Sequence, residues 1–288
     1  MTTLLLGGHG KTALQIAAIL RASNQSFLVA SRTASAGSTY THAKFDWFDE
    51  RTYESPFLKA SSEGMKPIAS VWLVAPPIFE LAPPMIKFVE FARAREVKRF
   101  VLLSASTIEK GGPAMGQVHA HLDTIKGIVY AVLRPTWFMD NFSTAGELQQ
   151  LAIKNDSKIY SAAGDGKIPF ISAKDIAKVA VKCLTNGNLQ AKEYVLLGPK
   201  LHTYDEVASI ISGVVGREIV HVKLSEADFT KHLISRGVPL SDAEFMAIME
   251  TGIKNGGQES LNDVVEEVTG SPPETFTDFA FRHKECWM

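Results

Sequence analysis

The sequence predicts an α/β fold, with a doubly wound parallel sheet and a smaller C-terminal α/β lobe. Three features of the 288-residue chain support this prediction. An apolar run at the start of the chain enters a glycine turn and leaves it as a helical pattern. Strand-like apolar runs then alternate with helical patterns, and this alternation changes past Asn141. We therefore expect a first domain over residues 1–155, with 167–184 and 193–197 contributing to its sheet, and a smaller lobe over 156–288.

The first turn has the spacing of a dinucleotide-binding site. Gly7 allows a sharp turn after the strand, and Gly10 lets the backbone approach a pyrophosphate closely because it has no Cβ. Ala13 lets the next helix pack closely on the sheet, and the free N–H groups at the start of that helix favour an anion. The candidate cofactor-binding residues of this turn are Gly7, Gly8, His9, Gly10, Lys11 and Thr12.

The same turn is not a P-loop. Gly10-Lys11-Thr12 resembles the end of that motif, but the motif requires a glycine five positions before Gly10, where this chain has Leu5. Leu5 also belongs to the predicted strand, so the loop would be too short. ATP or GTP hydrolysis is excluded on this basis.

The end of the second predicted strand, Ser26–Ser31, indicates which dinucleotide binds. NAD sites place an acidic residue here, which hydrogen-bonds the ribose hydroxyls. This chain has Ser31 and Arg32 instead. An arginine can bind the 2′-phosphate of NADP(H) through two parallel hydrogen bonds. The alternative is a solvated arginine at a strand end. We expect NADP(H) as the cofactor.

Four further strands are predicted, together with a helix at 80–96, and the strands span 43–47, 68–75, 100–104 and 129–133. Asp46 is a candidate acceptor for the adenine amino group, and the alternative is a turn-forming aspartate. Ala75, Pro76 and Pro77 end the strand over 68–75. We expect Pro76 and Pro77 to lie beside the cofactor ribose, and Ala75 and Pro76 are candidate cofactor-binding residues.

Shorter elements are predicted past Asn141. Strands at 158–161 and 167–172 flank a Gly-Asp-Gly turn, and an amphipathic helix spans 173–184. The remaining predictions are strands at 193–197 and 218–223 with a helix from Tyr204 between them, two helices within 225–254, a loop at 255–263 and a last helix that ends near Trp287.

Composition places the chain in an ordinary globular class. It is 45% hydrophobic and carries a net charge of −1 with both signs interspersed, which indicates neither a nucleic-acid partner nor a membrane surface as partner. Two distant cysteines, Cys183 and Cys286, do not make a disulfide framework. The opening apolar run is too short for a signal peptide. We expect a cytoplasmic protein.

The carboxyl ends of the later strands carry the candidate chemistry, because ligands of open α/β sheets bind there. Ser104 and Ser106 follow one strand, and residues 136–142 follow the next. A short-chain reductase would carry Tyr-x-x-x-Lys on the helix between these strands, and residues 116–123 contain neither. Two explanations remain. Either the protein binds a nucleotide without turnover, or its reaction needs no strong acid, as in the reduction of an iminium ion.

An iminium reductase would need an aromatic pocket, since aromatic faces attract cations. Candidate pocket residues are Trp47, Trp72, Ser106, Trp137, Phe138 and Phe142. For each aromatic residue the alternative is an ordinary core position. Ser104 is a candidate to hydrogen-bond the substrate or the nicotinamide, and its alternative is a strand-end serine bonded to the backbone.

His119 and His121 form a His-x-His pattern on the predicted helix 116–123. Residues two apart on a helix point to different sides, and no third ligand is visible, so we expect no metal site. One of the two histidines, with His119 as the candidate, is a possible acid or base for a substrate nitrogen.

Several motifs together carry a resemblance to a known family. They are Leu-Leu-Gly-Gly-His-Gly-Lys-Thr-Ala at 5–13, Phe-Asp-Trp at 45–47, Phe-Val-Leu-Leu-Ser-Ala-Ser at 100–106, Gly-Gly-Pro-Ala-Met-Gly at 111–116, His-Ala-His-Leu-Asp at 119–123, Leu-Arg-Pro-Thr-Trp-Phe-Met-Asp at 133–140 and Gly-Lys-Ile-Pro-Phe-Ile-Ser at 166–172. The chain resembles the fungal agroclavine and festuclavine dehydrogenases of ergot alkaloid biosynthesis, which are NmrA-like, atypical short-chain reductases of the Rossmann type. The resemblance extends through most of the chain and fades after about residue 255. The agroclavine branch is the more similar, through Val-Ala-Ser-Arg at 29–32 and Gly-Met-Lys-Pro at 64–67.

The resemblance implies an NADPH-dependent step on chanoclavine-I aldehyde. The secondary amine of this substrate closes on its aldehyde to a cyclic iminium, which hydride reduces to a tetracyclic ergoline. In the agroclavine branch the alkene first isomerises with the help of a thiol such as glutathione. Asp140 or Asp123 would pair with the substrate cation, and the catalytic candidates are Ser104, His119 and Asp140. The alternatives are an NmrA-like regulator that turns nothing over and a reductase of another alkaloid imine.

Overall fold

The computed structural model describes residues 1–34, 39–76, 78, 80–186, 189 and 191–288. By their contacts these residues form two compact units, of which the first contains 1–135 and 173–196 and the second contains 136–172 and 197–288. The expected boundary at residue 155 differs from this division. The chain leaves the first unit directly after the strand that ends at Pro135, and it returns for a helix and an edge strand.

The first unit is built on a seven-stranded, all-parallel sheet. Its strands are β1 (Thr2–Leu6), β2 (Ser26–Ser31), β3 (His42–Lys44), β4 (Ile68–Leu73), β5 (Arg99–Leu103), β6 (Val129–Pro135) and β8 (Glu193–Leu196). Their spatial order is β3-β2-β1-β4-β5-β6-β8, and every neighbouring pair is parallel. The order reverses between β1 and β4, which is the switch point where ligands bind in doubly wound sheets.

Helices of the first unit pack against this sheet. They are α1 (Lys11–Ala22), α2 (Ser55–Ser62), α3 (Ala82–Arg93), α4 (Met115–Thr124) and α6 (Ala173–Thr185). Helices α1 and α6 pack together, and α6 also contacts β4, β5 and β6. Helix α3 contacts α4, and residues of both helices share a core with alternate residues of the strands.

The sequence of β1 shows why the sheet is buried on both faces. Leu4 and Leu6 belong to the core shared with α3 and α4, while the intervening Leu5 points to the opposite face because side chains alternate along a strand. All three leucines are fully buried. A parallel strand that is covered on both faces must be apolar throughout, and β1 and β4 meet this requirement with few exceptions.

The second unit combines two short parallel strands with helices. The strands are β7 (Lys158–Ser161) and β9 (Val220–Lys223), and the helices are α5 (Leu148–Asp156), α7 (Tyr204–Val215), α8 (Glu226–Ser235), α9 (Leu240–Lys254), α10 (Val264–Thr269) and α11 (Phe276–His283). Helix α7 begins with a complete capping box, in which Thr203 and Glu206 bond each other's backbone N–H groups.

The predicted fold class is confirmed, and most predicted elements lie within a few residues of the observed ones. One predicted strand is wrong. Residues 167–172 form only two isolated bridges, from Ile171 to Phe138 and from Ile168 to His202. Helices α2, α5 and α10 were not predicted. In the part of the chain that the structure describes, no helix has the length and apolarity that crossing a membrane requires.

Candidate functional site

The glycine turn after β1 is shaped by close backbone packing. Gly7 has φ +63°, and a Cβ built on it would lie 2.4 Å from Cγ1 of Val74, just past β4. A Cβ on Gly8 would lie 1.9 Å from Cγ1 of Val29 in β2. Gly10 begins helix α1, and its N–H donates to the Gly7 carbonyl at 2.7 Å. The turn therefore fits tightly between the ends of β2 and β4, and a larger residue would disturb it.

The start of α1 has the features of a phosphate-binding end. No side chain caps the helix, because its N-cap is Gly10, and no acidic residue lies in its first turn. Thr12 is 4% exposed, and its hydroxyl has no hydrogen-bond partner among the described residues. Free helix N–H groups favour an anion, and the glycines leave room for one beside the backbone. These residues fit the pyrophosphate of a dinucleotide, and His9 and Lys11 flank the turn.

The end of β2 carries the predicted 2′-phosphate site. The Ser31 hydroxyl donates to the Thr33 carbonyl at 2.7 Å and hydrogen-bonds Nε2 of His42 at 2.8 Å. Arg32 is exposed and makes no ion pair with another described residue. Burial lowers the pKa of His42, with a further contribution from the nearby His9 ring. Two neighbouring histidine rings and an exposed guanidinium therefore lie at this strand end.

Asp46 has a structural role in addition to the predicted one. One of its carboxylate oxygens accepts from the Phe48 N–H at 3.0 Å, and its own N–H donates to Thr52. This is the turn-forming aspartate that was the alternative interpretation. Ala75 and Pro76 follow β4, and Pro76 is buried with its carbonyl accepting from Ile78. Pro77 lies outside the described residues.

The ends of β5 and β6 are tied together through backbone groups. Ser104 is 7% exposed, and its N–H donates to the Leu133 carbonyl at 2.7 Å. The Ser106 N–H donates to Pro135, and the Ser106 carbonyl accepts from Arg134 at 2.6 Å. The structure therefore places both predicted serines at the carboxyl edge of the sheet.

His119 and His121 occupy different surroundings on α4. His119 is 3% exposed and packs edge-on against Tyr130, and burial is the main cause that lowers its pKa. His121 pairs with Glu90 at 2.8 Å between Nε2 and Oε1. Asp123 is bonded by Tyr130, Lys110 and Lys192, and these bonds lower the pKa of its carboxyl. Asp123 is therefore already neutralised by protein groups, which leaves Asp140 as the predicted partner of a substrate cation.

The second unit contains a cavity of about 110 Å³, and aromatic side chains form a large part of its wall. Three of the predicted pocket residues line it, namely Trp137, Phe138 and Phe142. Tyr160, Phe170, Tyr204, Phe229 and His232 complete the aromatic lining. The His232 ring stacks on Tyr160 with 4.2 Å between ring centroids. Trp72, in contrast, is fully buried in β4 of the first unit, in a core position. Trp47 packs edge-on against Phe45 and Phe88 in the core on the other face of the sheet, to which Val71 and Leu73 of β4 belong.

Glu250 lines the same cavity, and sequence reasoning did not single it out. It is 6% exposed, and its oxygens accept from the Ala162 N–H at 2.6 Å and from the Tyr204 hydroxyl at 3.2 Å. Burial raises the pKa of Glu250 to about 7. The helical spacing of the sequence could have indicated its burial, because Glu250 lies on the same face of α9 as the buried residues Ala243, Ala247 and Ile253.

Asp140 lies in the short 3₁₀ turn over Met139–Phe142 and is 8% exposed. Its carbonyl accepts from Ser143 and Thr144, which holds the turn after β6. Its neighbours Phe138 and Phe142 both line the cavity. The structure thus brings Asp140 into the same segment as the aromatic lining.

The parallel sheet, its switch point and the glycine turn define a Rossmann-type dinucleotide-binding protein. The NmrA-like family matches residues 119–277. A solved quinone oxidoreductase of Escherichia coli, complexed with NADPH, has a similar fold, with a TM-score of 0.79 and 22% identity over 97% of this chain and 99% of that chain.

Two curated relatives are similar over their whole length. Agroclavine dehydrogenase of Claviceps fusiformis is 51% identical over 100% of this chain and 99% of the relative. Festuclavine synthase I of Penicillium roqueforti is 48% identical over 100% of both. The chain belongs to this family of agroclavine dehydrogenases and festuclavine synthases, within the NmrA-like proteins.

Proposed function

We propose that this protein is a reductase of ergot alkaloid biosynthesis that uses NADP(H). Its substrate is the cyclic iminium formed from chanoclavine-I aldehyde, and its product is a tetracyclic ergoline, agroclavine. The observation that carries the proposal is the identity of about half of all residues, over full length, with enzymes named for agroclavine and festuclavine. Reduction of a carbon–nitrogen double bond accounts for the missing Tyr-x-x-x-Lys.

The first unit holds the cofactor in this proposal. Backbone N–H groups of the turn at 7–12 bind the pyrophosphate, and the Thr12 hydroxyl gains a partner there. Arg32 binds the 2′-phosphate, with Ser31 and the histidine pair beside it. Asp46, Ala75 and Pro76 lie along the adenosine and ribose. Bound NADPH supplies the hydride that reduces the iminium.

The residues of the chain have a limited chemical task, because the iminium carbon is already electrophilic. Arrival of a hydride neutralises the cation, so no alkoxide has to be protonated. Trp137, Phe138 and Phe142 exclude water and present ring faces to the cation. Asp140 balances the positive charge, and Ser104 orients a bound polar group. The buried His119 exchanges a proton only in steps that precede reduction.

The test is a turnover assay with purified protein, NADPH and chanoclavine-I aldehyde, run with and without glutathione. The expected result is oxidation of NADPH with formation of agroclavine, and a requirement for the thiol would identify glutathione as a helper in alkene isomerisation. Binding of NADPH without its oxidation, in the presence of any cyclic iminium, would contradict the proposal and favour a nucleotide-binding regulator. Turnover of other imines alone would place the protein elsewhere in alkaloid metabolism.

A further inference from the structure

The cavity of the second unit contains a buried carboxylate, Glu250, that forms no ion pair with any residue that the structure describes. No lysine or arginine is among the described residues that line the cavity, and the groups that bond Glu250 are a backbone N–H and a phenol. A carboxylate can accept about four hydrogen bonds, so each oxygen of Glu250 keeps capacity for a further interaction. Burying an ionised carboxylate without a counter-charge is costly. A cationic ligand would remove this cost.

The surroundings of Glu250 favour an organic cation over a metal ion or an ammonium ion that needs many hydrogen bonds. Aromatic rings form a large part of the wall, and the Phe170 ring packs edge to face against Phe142 and Tyr204, with ring centroids 5.4 and 5.6 Å apart. Ring faces attract cations that carry alkyl groups and few N–H donors. A carboxylate at one end of an aromatic box therefore matches an alkylated nitrogen cation.

The size of the cavity limits what enters it. An apolar cavity of about 150 Å³ holds one benzene molecule. A cavity of about 110 Å³ therefore accommodates one small ring or one alkylated nitrogen centre, and not a complete four-ring alkaloid. Met246 of the lining is 41% exposed, so the cavity reaches the surface and the remainder of a larger ligand has an exit.

We propose that Glu250, oriented by Tyr204 and Ala162, is the residue that selects the cationic nitrogen of the substrate. This inference rests on the proposed function and assigns a specificity-determining residue to it. The iminium formed from a secondary amine has no N–H, so it is recognised by charge and by ring faces, and Glu250 supplies the charge. Asp140, in the short turn over Met139–Phe142, adds its negative charge to that of Glu250.

The test uses a pair of probes that differ in charge alone. Choline carries a quaternary nitrogen, and 3,3-dimethylbutan-1-ol has the same shape without the charge. Calorimetric titration of the full chain at pH 8 is expected to give tighter binding of choline than of the alcohol. Glu250→Gln keeps an acceptor for the Ala162 N–H and should weaken choline by roughly 10- to 100-fold, with the alcohol unchanged. Glu244→Gln, an exposed carboxylate on the same helix, is the matched control and should change neither.

A second measurement needs no variant. Choline does not titrate, so its affinity should follow the ionisation of Glu250 and rise between about pH 6 and 8, whereas that of the alcohol should stay flat. The other titratable residues of the lining are Glu147, Tyr160, Tyr204 and His232. Burial lowers the pKa of His232 and raises the pKa of Tyr204 well above its usual value. Glu250→Asp should keep the pH dependence.

Equal affinities for the two probes in the unmodified protein, or an unchanged preference in Glu250→Gln, would overturn the assignment. The outcome is separable from that of the turnover assay. Selective choline binding without NADPH oxidation would support the cation site while removing the proposed function. Turnover of the iminium with no preference for choline would leave the function in place and remove Glu250 from it.

Discussion

Replacement of Arg32 by alanine tests how the cofactor is selected. Arg32 lies directly after β2, is exposed, and makes no ion pair with another described residue. Its removal therefore should leave the free energy of unfolding within about 0.5 kcal/mol of the parent. The effect should instead appear in the affinity for the cofactor that carries a 2′-phosphate.

The size of the effect follows from the exposure of the guanidinium. A hydrogen-bonded pair of an arginine with a phosphate contributes about 1.5–3 kcal/mol, and solvent screening favours the lower end of this range for an exposed side chain. We expect NADPH to bind roughly 10- to 30-fold more weakly to Arg32→Ala. NADH lacks the 2′-phosphate, so its affinity should change by less than about twofold. Arg32→Lys keeps the charge but not the paired N–H donors, so its affinity for NADPH should lie between those of the parent and Arg32→Ala.

Titration of each protein with NADPH and NADH measures both affinities directly. The matched control is Arg21→Ala, because Arg21 is also an exposed arginine of the first unit. Its Nη1 donates a hydrogen bond to the Thr39 hydroxyl at 2.8 Å. Arg21→Ala should bind both cofactors as the parent does. Equal weakening of NADPH and NADH by Arg32→Ala would refute the role of Arg32 at the 2′-phosphate.

Three further predictions follow from buried polar groups. Thr12→Val should raise the Tm of the cofactor-free protein by about 2–4 °C, because the buried Thr12 hydroxyl has no hydrogen-bond partner among the described residues. The control Thr3→Val should lower the Tm, because the Thr3 hydroxyl hydrogen-bonds Ser70 at 2.9 Å. A lower Tm for Thr12→Val would contradict this reasoning. The pKa of Glu250 is raised to about 7, so its contribution to stability is full below about pH 4.5 and is lost as the pH rises through 7. Chemical denaturation should therefore show Glu250→Gln gaining roughly 3 kcal/mol relative to the parent between pH 4.5 and 7, and parallel curves would contradict this. His119→Gln should keep kcat within about tenfold of the parent value, whereas loss of an essential general acid lowers the rate about 10²- to 10⁴-fold. A complete loss of activity in a folded variant would indicate an acid–base mechanism instead.

Local patterns of apolar and polar residues predicted most of the strands and helices. Strand β2 at Ser26–Ser31 and strand β7 at Lys158–Ser161 coincide with their predictions, because each is an apolar run bounded by polar residues. The segment 167–172 has the same composition but finds no continuous partner, and it forms isolated bridges only. Pairing partners are a property of the tertiary structure, so composition could not exclude this strand.

The cofactor half of the candidate site was accessible from the sequence because it depends on backbone geometry. Glycines at fixed spacing after a strand specify a turn and a helix start, and both are observed. The sequence did not indicate which aromatic residues lie in the core and which line the cavity. Trp72 and Trp137 are alike as residues, yet one is enclosed by the sheet and the other lines a cavity. Glu250 was missed because a carboxylate on an amphipathic helix ordinarily faces solvent.

Transfer of a labelled hydride tests the central claim most directly. Purified protein would be incubated with chanoclavine-I aldehyde, glutathione and NADPH deuterated at the transferable position of the nicotinamide, and the alkaloid would be examined by mass spectrometry and NMR. We predict a product that carries one deuterium on the ring carbon next to the nitrogen. An alkaloid without the label, or no alkaloid from a protein that binds NADPH, would contradict the account.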